Sequence, residues 1–209
     1  MLYQVKEMDD IMNMKFSFFA LISRMKNITR WSLMRNSTSE NIQEHSHMVA
    51  VIAHALAIIR RDVFGGAADP GLAASAALFH DSSEIFTGDL PTPIKYYDVE
   101  IMEAYKKVES VAARKMLKAL PVELRSSYSM LLTFNEEDEM FAIVKAADKL
   151  SAYIKCIEEL KAGNHEFHHA AEQCREKLQK MDMPEVKYFI ENFIPAFKLT
   201  LDELDFSFE

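Results

Sequence analysis

The chain has 209 residues, 49% of them hydrophobic, with 24 Lys and Arg against 32 Asp and Glu, a formal net charge of −8. That length favours one compact domain with a substantial core. The 5 Gly and 6 Pro amid abundant Ala, Leu, Met, Glu and Lys favour helices over a turn-dense β architecture. The acidic balance argues against a nonspecific polynucleotide binder, which needs a basic surface to displace counterions; it leaves room for a small phosphorylated ligand held by a local arginine and a bound metal.

After an N-terminal extension, residues 1–13, the first predicted helix runs from about Met14 to Met25. Its apolar run, Phe16 to Ile22, is short and follows acidic residues, so neither a signal peptide nor a membrane span is expected and the cytoplasm is the default location. A polar connection containing Arg30-Trp31 leads to Ser37-Thr38-Ser39-Glu40, whose first and last residues have capping-box spacing for a second helix reaching about Arg61. The apolar stripe of that helix is Ile42, Val49, Ile52, Leu56 and Ile59. His45 falls on the inward side, three residues after Ile42, whereas His47 and His54 fall off the stripe.

Gly65-Gly66 ends that passage, and Asp69 as N-cap with Pro70 at the first helical position opens a third helix that should stop before Gly88. It carries His80-Asp81, with Glu84 one turn on. Spacings of three and four residues let all three border one pocket, and Leu78, Phe79, Ile85 and Phe86 around them imply partial burial. The dipeptide alone is close to what chance supplies, but an imidazole beside a carboxylate suits a borderline divalent metal.

The prolines in Gly88-Asp89-Leu90-Pro91-Thr92-Pro93 require a loop. Amphipathic spacing resumes at Ile101, Tyr105, Val108 and Val111; Pro121 starts a short helix; and Asn135, as N-cap, opens a long one ending near Gly163. Asp148 lies at the edge of the Ile143, Ala147, Leu150 and Ile154 stripe of that helix. It is the candidate fourth ligand, because two imidazoles and one carboxylate incompletely fill an octahedral shell; a surface ion pair with Lys149 is its alternative. His165, His168 and His169 follow Gly163-Asn164 without a converging carboxylate stripe and read as surface residues. Helical stretches from about His165 to Lys180 and Pro184 to Leu199 complete a single all-α domain, 14–199, before an unassigned tail, 200–209. Cys156 and Cys174 are too few for a disulfide framework and read as ordinary reduced thiols.

The ordered set His45, His80-Asp81 and Asp148 resembles the HD-domain metal-dependent phosphohydrolases. The resemblance extends to their bacterial 5′-deoxynucleotidase branch through the Arg30-Trp31 segment, Glu44-His45-Ser46, His80-Asp81-Ser82-Ser83-Glu84, Thr87 to Pro93, Lys145 to Asp148 and Tyr153 to Asn164. It covers nearly the whole chain after about Lys15. It implies an HD-type helical bundle holding one divalent transition metal ion on His45, His80, Asp81 and Asp148; without a sulfur ligand, Co²⁺ or Mn²⁺ is favoured. It further implies Glu84 as general acid/base and Arg30 as the group orienting the phosphate. Trp31 and the Asp89, Leu90, Pro91 and Thr92 loop would pack on the sugar and reject ribonucleotides, and the active form would be a homodimer. The expected reaction is hydrolysis of 2′-deoxyribonucleoside 5′-monophosphates. An HD phosphodiesterase or hydrolase of larger nucleotides, and a metal-stabilised regulatory module without turnover, remain as alternatives that metal-dependent phosphate release would separate.

Overall fold

The computed structural model describes residues 16–91, 94, 97–133 and 138–204. Among them every regular element is helical, apart from one antiparallel bridge between Thr29 and Asn41, so the expected all-α fold is the one that forms. In chain order the helices are α1 (Phe18–Ile22), α2 (Ile42–Ile58), α3 (Pro70–Phe79), α4 (Glu84–Thr87), α5 (Val99–Lys118), α6 (Val122–Leu132), α7 (Glu139–Lys161), α8 (His168–Gln179) and α9 (Pro184–Asn192).

The centre is α2, packed against α3 and α7. Alanines face one another there: Ala50, Ala53 and Ala57 on α2, Ala73, Ala76 and Ala77 on α3, and Ala146 and Ala147 on α7 are all buried. Side chains this small let helix backbones approach closely, while Val49, Ile52, Leu56, Ile143, Leu150 and Ile154 fill the space between them. Each fully buried Leu or Ile contributes about 1.5–3 kcal/mol. The expected α2 and α7 stripes are therefore the core. Residues 42–63 are apolar and long enough to cross a membrane, but this is the helix whose apolar face the surrounding elements cover.

Four expectations need correction. Helix α2 does not begin after a Ser37–Glu40 box: Asn41 is its N-cap, accepting from the Gln43 and Glu44 backbone amides, and the Glu44 carboxylate reaches back to the Asn41 amide. Ser37 and Glu40 are drawn away by partners distant in sequence, described below. The first helix is shorter than expected, with a 3₁₀ turn at Met25–Asn27 after α1.

The expected helix through His80 is interrupted. In an α-helix the Ala77 carbonyl would accept from the Asp81 amide; here the His80 Nδ1–H takes that carbonyl at 2.7 Å. The chain then tightens into three-residue turns, with Ser82 N–H donating to Phe79 O and Glu84 N–H to Asp81 O. Helix α4 follows and ends at Gly88, whose φ of 72° only glycine adopts freely.

The α5 stripe is the fourth. Ile101, Val108 and Val111 are exposed, Tyr105 is half-buried, and the face that packs inward is Ala112, Ala113 and Met116. Periodicity identified an apolar face, but among the described residues it stays exposed. Asp138, accepting from the Met140 amide, caps α7; Asn135, Thr92 and the 1–13 extension lie outside the described residues. Cys156 and Cys174 are buried free thiols on neighbouring helices.

One buried ionic cluster fixes the connection into α2. Glu159 Oε2 accepts from the Ser37 amide (2.8 Å), the Ser37 hydroxyl (2.6 Å) and Asn164 Nδ2 (2.8 Å). Its Oε1 accepts from Lys155 Nζ, which also donates to the Thr38 carbonyl. Burial alone would raise the Glu159 carboxyl pKa, but hydrogen bonds from Lys155, Ser37 and Asn164 outweigh it and hold the group well below the usual carboxylate range. The folded pKa is thus depressed, so this stabilisation is present above the unfolded value of about 4.3 and fades as pH falls towards the folded one. Glu159→Ala should lower unfolding free energy by about 3–5 kcal/mol at neutral pH in urea titrations, and should flatten the acid limb of the stability profile.

Candidate functional site

The close packing of α2, α3 and α7 brings their polar exceptions to one place. His45, fully buried on α2, directs Nε2 at Asp148 Oδ1 on α7 (3.1 Å) and lies 3.6 Å from Asp81 Oδ2. His80 Nε2 lies 3.1 Å from the same Asp81 oxygen. Donor atoms of His45, His80 and Asp81 all fall within 4.8 Å of one another. Helix α7 presents Asp148 against His45, so the fourth expected ligand adjoins this three-residue cluster.

The imidazoles are oriented from behind. His80 Nδ1 donates to the Ala77 carbonyl, an acceptor only, so the neutral form of the ring carries its lone pair on Nε2. His45 Nδ1 is 3.2 Å from Ser151 Oγ. Both rings therefore offer Nε2 to the centre, and outer hydrogen bonds of this kind hold metal ligands in place. His80 Nε2 is buried and has no hydrogen-bond partner. A lone pair aimed at a carboxylate is repulsive unless a cation stands between them, so the donor set fits a divalent metal.

Electrostatics treat the two imidazoles differently. Burial, then the Arg30 charge, pushes the His45 pKa down, which keeps its imidazole neutral. Burial opposes charge on His80 as well, but Asp81 outweighs it and the pKa rises. Burial would raise the Asp81 and Asp148 carboxyls; His80 for the first and His45 for the second hold them well below the usual range. Their side chains are 20% and 30% exposed, so the carboxylate side of the cluster is its open side.

Arg30 and Trp31 border the cluster. The Arg30 guanidinium spans two carboxylates, Nη1 to Asp81 Oδ2 at 3.4 Å and Nε to Glu40 Oε2 at 3.1 Å. Burial opposes its charge, and Asp81, Asp148, Glu40 and Asp89 more than restore it. Trp31 has φ of 56°, the only positive value at a non-glycine among the described residues. Its ring rests on Phe167, centroids 5.3 Å apart. Burial raises the pKa of the neighbouring Asp89 carboxyl, and the Arg30 charge acts against it. Leu90 and Pro91 follow in a half-buried, nonhelical stretch after Gly88. Glu84 is buried at the head of α4, three residues past Asp81.

His47, His54, His165, His168 and His169 are exposed, as their spacing predicted. Two residues of the site escaped the sequence reading. Ser151 lies one turn beyond Asp148 on the same face of α7, a signal that was legible. Glu40 was hidden because its spacing to Ser37 resembled a cap.

The sequence matches the family model described as 5′-deoxynucleotidase YfbR-like over residues 17–197. A 5′-deoxynucleotidase of Vibrio parahaemolyticus is 50% identical over 188 residues, covering 90% of this chain and 97% of the relative. One of Erwinia tasmaniensis is also 50% identical, covering 90% and 95%. Among solved structures, an HD-domain phosphohydrolase from Listeria innocua is similar with a TM-score of 0.75 and 25% identity, covering 87% of this chain and 88% of that one. A cyanophage S-2L HD phosphohydrolase, bound to dA and one catalytic Zn²⁺ ion, shares the fold with a TM-score of 0.57 and 21% identity, covering 85% and 96%.

Proposed function

We infer the reaction from one premise: the chain belongs to the YfbR-like 5′-deoxynucleotidase family. It is a metal-dependent phosphomonoesterase that hydrolyses 2′-deoxyribonucleoside 5′-monophosphates to deoxynucleoside and phosphate. The observation that carries the site assignment is the convergence of two Nε2 atoms and two carboxylates, one of those nitrogens buried without a partner, beside Arg30.

His45, His80, Asp81 and Asp148 would hold one divalent ion, with Co²⁺ or Mn²⁺ favoured by the nitrogen and oxygen donors. When bound, such an ion acidifies water towards neutrality and offsets charge on the attacked phosphate. The protein supplies the rest. Arg30, its fork fixed by Asp81 and Glu40, orients the phosphate oxygens. Water attacks phosphorus as the bond to the 5′ oxygen breaks, and Glu84 moves a proton between the attacking water and the departing oxygen. We assign sugar binding to Trp31, Asp89, Leu90, Pro91 and Thr92, the last of them outside the described residues; the charges of Arg30 and Asp89, which act on one another beside the cluster, support this. A 2′-hydroxyl there would clash or leave a polar group unpaired. We assign the protein to the cytoplasm, acting as a homodimer, and the uncovered Ile101, Val108 and Val111 face of α5 supports an interface between copies.

Phosphate release from paired deoxy- and ribonucleotides tests the substrate. We expect kcat/KM for dAMP to exceed that for AMP by about 100-fold or more, with weak dependence on the base. Equal values for dAMP and AMP would reject the sugar assignment.

A further inference from the structure

The mechanism leaves one acid beside the site, Glu40, without a role. Glu40, in the connection before α2, places its carboxylate where three functional groups meet. Oε2 accepts from Arg30 Nε at 3.1 Å and from Trp31 Nε1 at 3.0 Å. Oε1 faces His45 Nδ1 at 3.8 Å. The Glu40 side chain is only 16% exposed and that of Arg30 12%, so neither bond is readily replaced by water. The backbone repeats the connection: the Arg30 amide donates to the Glu40 carbonyl at 2.9 Å, next to the Thr29–Asn41 bridge. The Glu159–Lys155 cluster anchors Ser37 and Thr38 just upstream, so Glu40 rests on a fixed base.

We propose that Glu40 is a positioning residue for the reaction, one carboxylate oxygen setting both the guanidinium of Arg30 and the indole of Trp31 relative to the metal ligands. The proposal rests on the substrate reading above. Arg30 has a flexible stem, and its contact with Asp81 alone, at 3.4 Å, leaves the guanidinium free to pivot. The second bond, from Nε to Glu40, removes that freedom and turns the remaining donors towards the open side of the cluster. The same oxygen holds the indole edge of Trp31 while Phe167 holds its face and the left-handed backbone fixes its root. Phosphate orientation and sugar discrimination are thus coupled through one atom. Without it, two buried donors lose their acceptor, a penalty that displaces both side chains. Glu40 does not touch the reacting atoms and is not a metal ligand, since both imidazoles direct their Nε2 atoms to the centre.

The test compares wild type, Glu40→Ala and Glu40→Gln by kinetics with dAMP, AMP and p-nitrophenyl phosphate, alongside Co²⁺ calorimetry and thermal melting. Glu40→Gln keeps the shape and one acceptor oxygen, so it folds if the alanine variant does not. For Glu40→Ala we expect kcat on dAMP and on the aryl phosphate to fall about 30- to 100-fold, and the dAMP/AMP preference to shrink at least tenfold, with Co²⁺ affinity within threefold of wild type. Glu40→Gln should lose about tenfold in kcat, because the charge on the shared acceptor is gone.

Trp31→Phe supplies a readout that a merely structural role would not move. Alone it should weaken the dAMP/AMP preference; in the Glu40→Ala background it should change that preference by less than twofold, because the indole N–H has already lost its acceptor. The proposal is overturned if either Glu40 variant keeps kcat and the dAMP/AMP ratio within twofold of wild type. Loss of Co²⁺ together with activity, or full additivity of Glu40→Ala and Trp31→Phe, also overturns it. Were wild type itself to treat dAMP and AMP alike, the sugar reading would fail, while the aryl phosphate arm would still decide whether Glu40 positions Arg30.

Discussion

Glu84→Gln should reduce kcat for dAMP by about 10³-fold while the metal and the nucleotide stay bound. The residue is 7% exposed, at the start of α4, three positions beyond Asp81. An ionisable side chain is rarely buried so fully without a task. The expected donors, His45, His80 and Asp81 with Asp148 against His45, are assembled without it. Glutamine keeps the size and can hydrogen-bond, but it cannot carry a proton from water to the leaving 5′ oxygen. The loss should therefore appear in kcat and leave KM and metal content near wild type. Single-turnover phosphate release with metal analysis on the same sample decides it: near-full kcat in the glutamine variant would remove Glu84 from the mechanism.

The second large effect is on the metal itself. Dialysis against a chelator should reduce phosphate release at least 10³-fold, and added Co²⁺ or Mn²⁺ should restore it. Asp148→Ala should need far more metal for the same activity, because it removes the only expected ligand contributed by α7. The metal should also raise the melting temperature, since a ligand present at 100 times its Kd and binding only the folded chain adds about 2.7 kcal/mol. Asp148→Ala should lose most of that increment at fixed Co²⁺ concentration. Undiminished turnover after chelation, or an Asp148→Ala variant with unchanged metal affinity, would refute the four-ligand assignment.

His45 and Asp148 could be read from sequence because each sits on a regular helix. His45 interrupts an apolar stripe of α2 whose members are all buried, and Asp148 borders the corresponding stripe of α7, so helical periodicity alone aims both at the same space. The failures occur where a nonlocal contact decides between local options of equal quality. Ser37 to Glu40 and Asn41 to Glu44 obey the same capping grammar. The second wins because Glu159 has taken Ser37, and Arg30 with Trp31 have taken Glu40. Nothing in the neighbouring residues announces either competitor. The break after Phe79 contains neither Gly nor Pro, and it comes from an imidazole that takes its own helix's carbonyl. The exposed α5 face shows a third limit: periodicity specifies that a face is apolar, not which surface covers it.

Trp31 sits at φ 56°, a backbone region that costs a side chain of this size about 1–3 kcal/mol and costs glycine almost nothing. Glycine would relieve that strain but forfeit the packing of the ring on Phe167 and the bond from its Nε1 to Glu40, and loss of a packed tryptophan costs about 3–5 kcal/mol. The chain keeps its only tryptophan there instead. Position 31 thus carries a local strain that the contacts of its own ring outweigh, and an engineer stabilising this protein should take the increments from other positions.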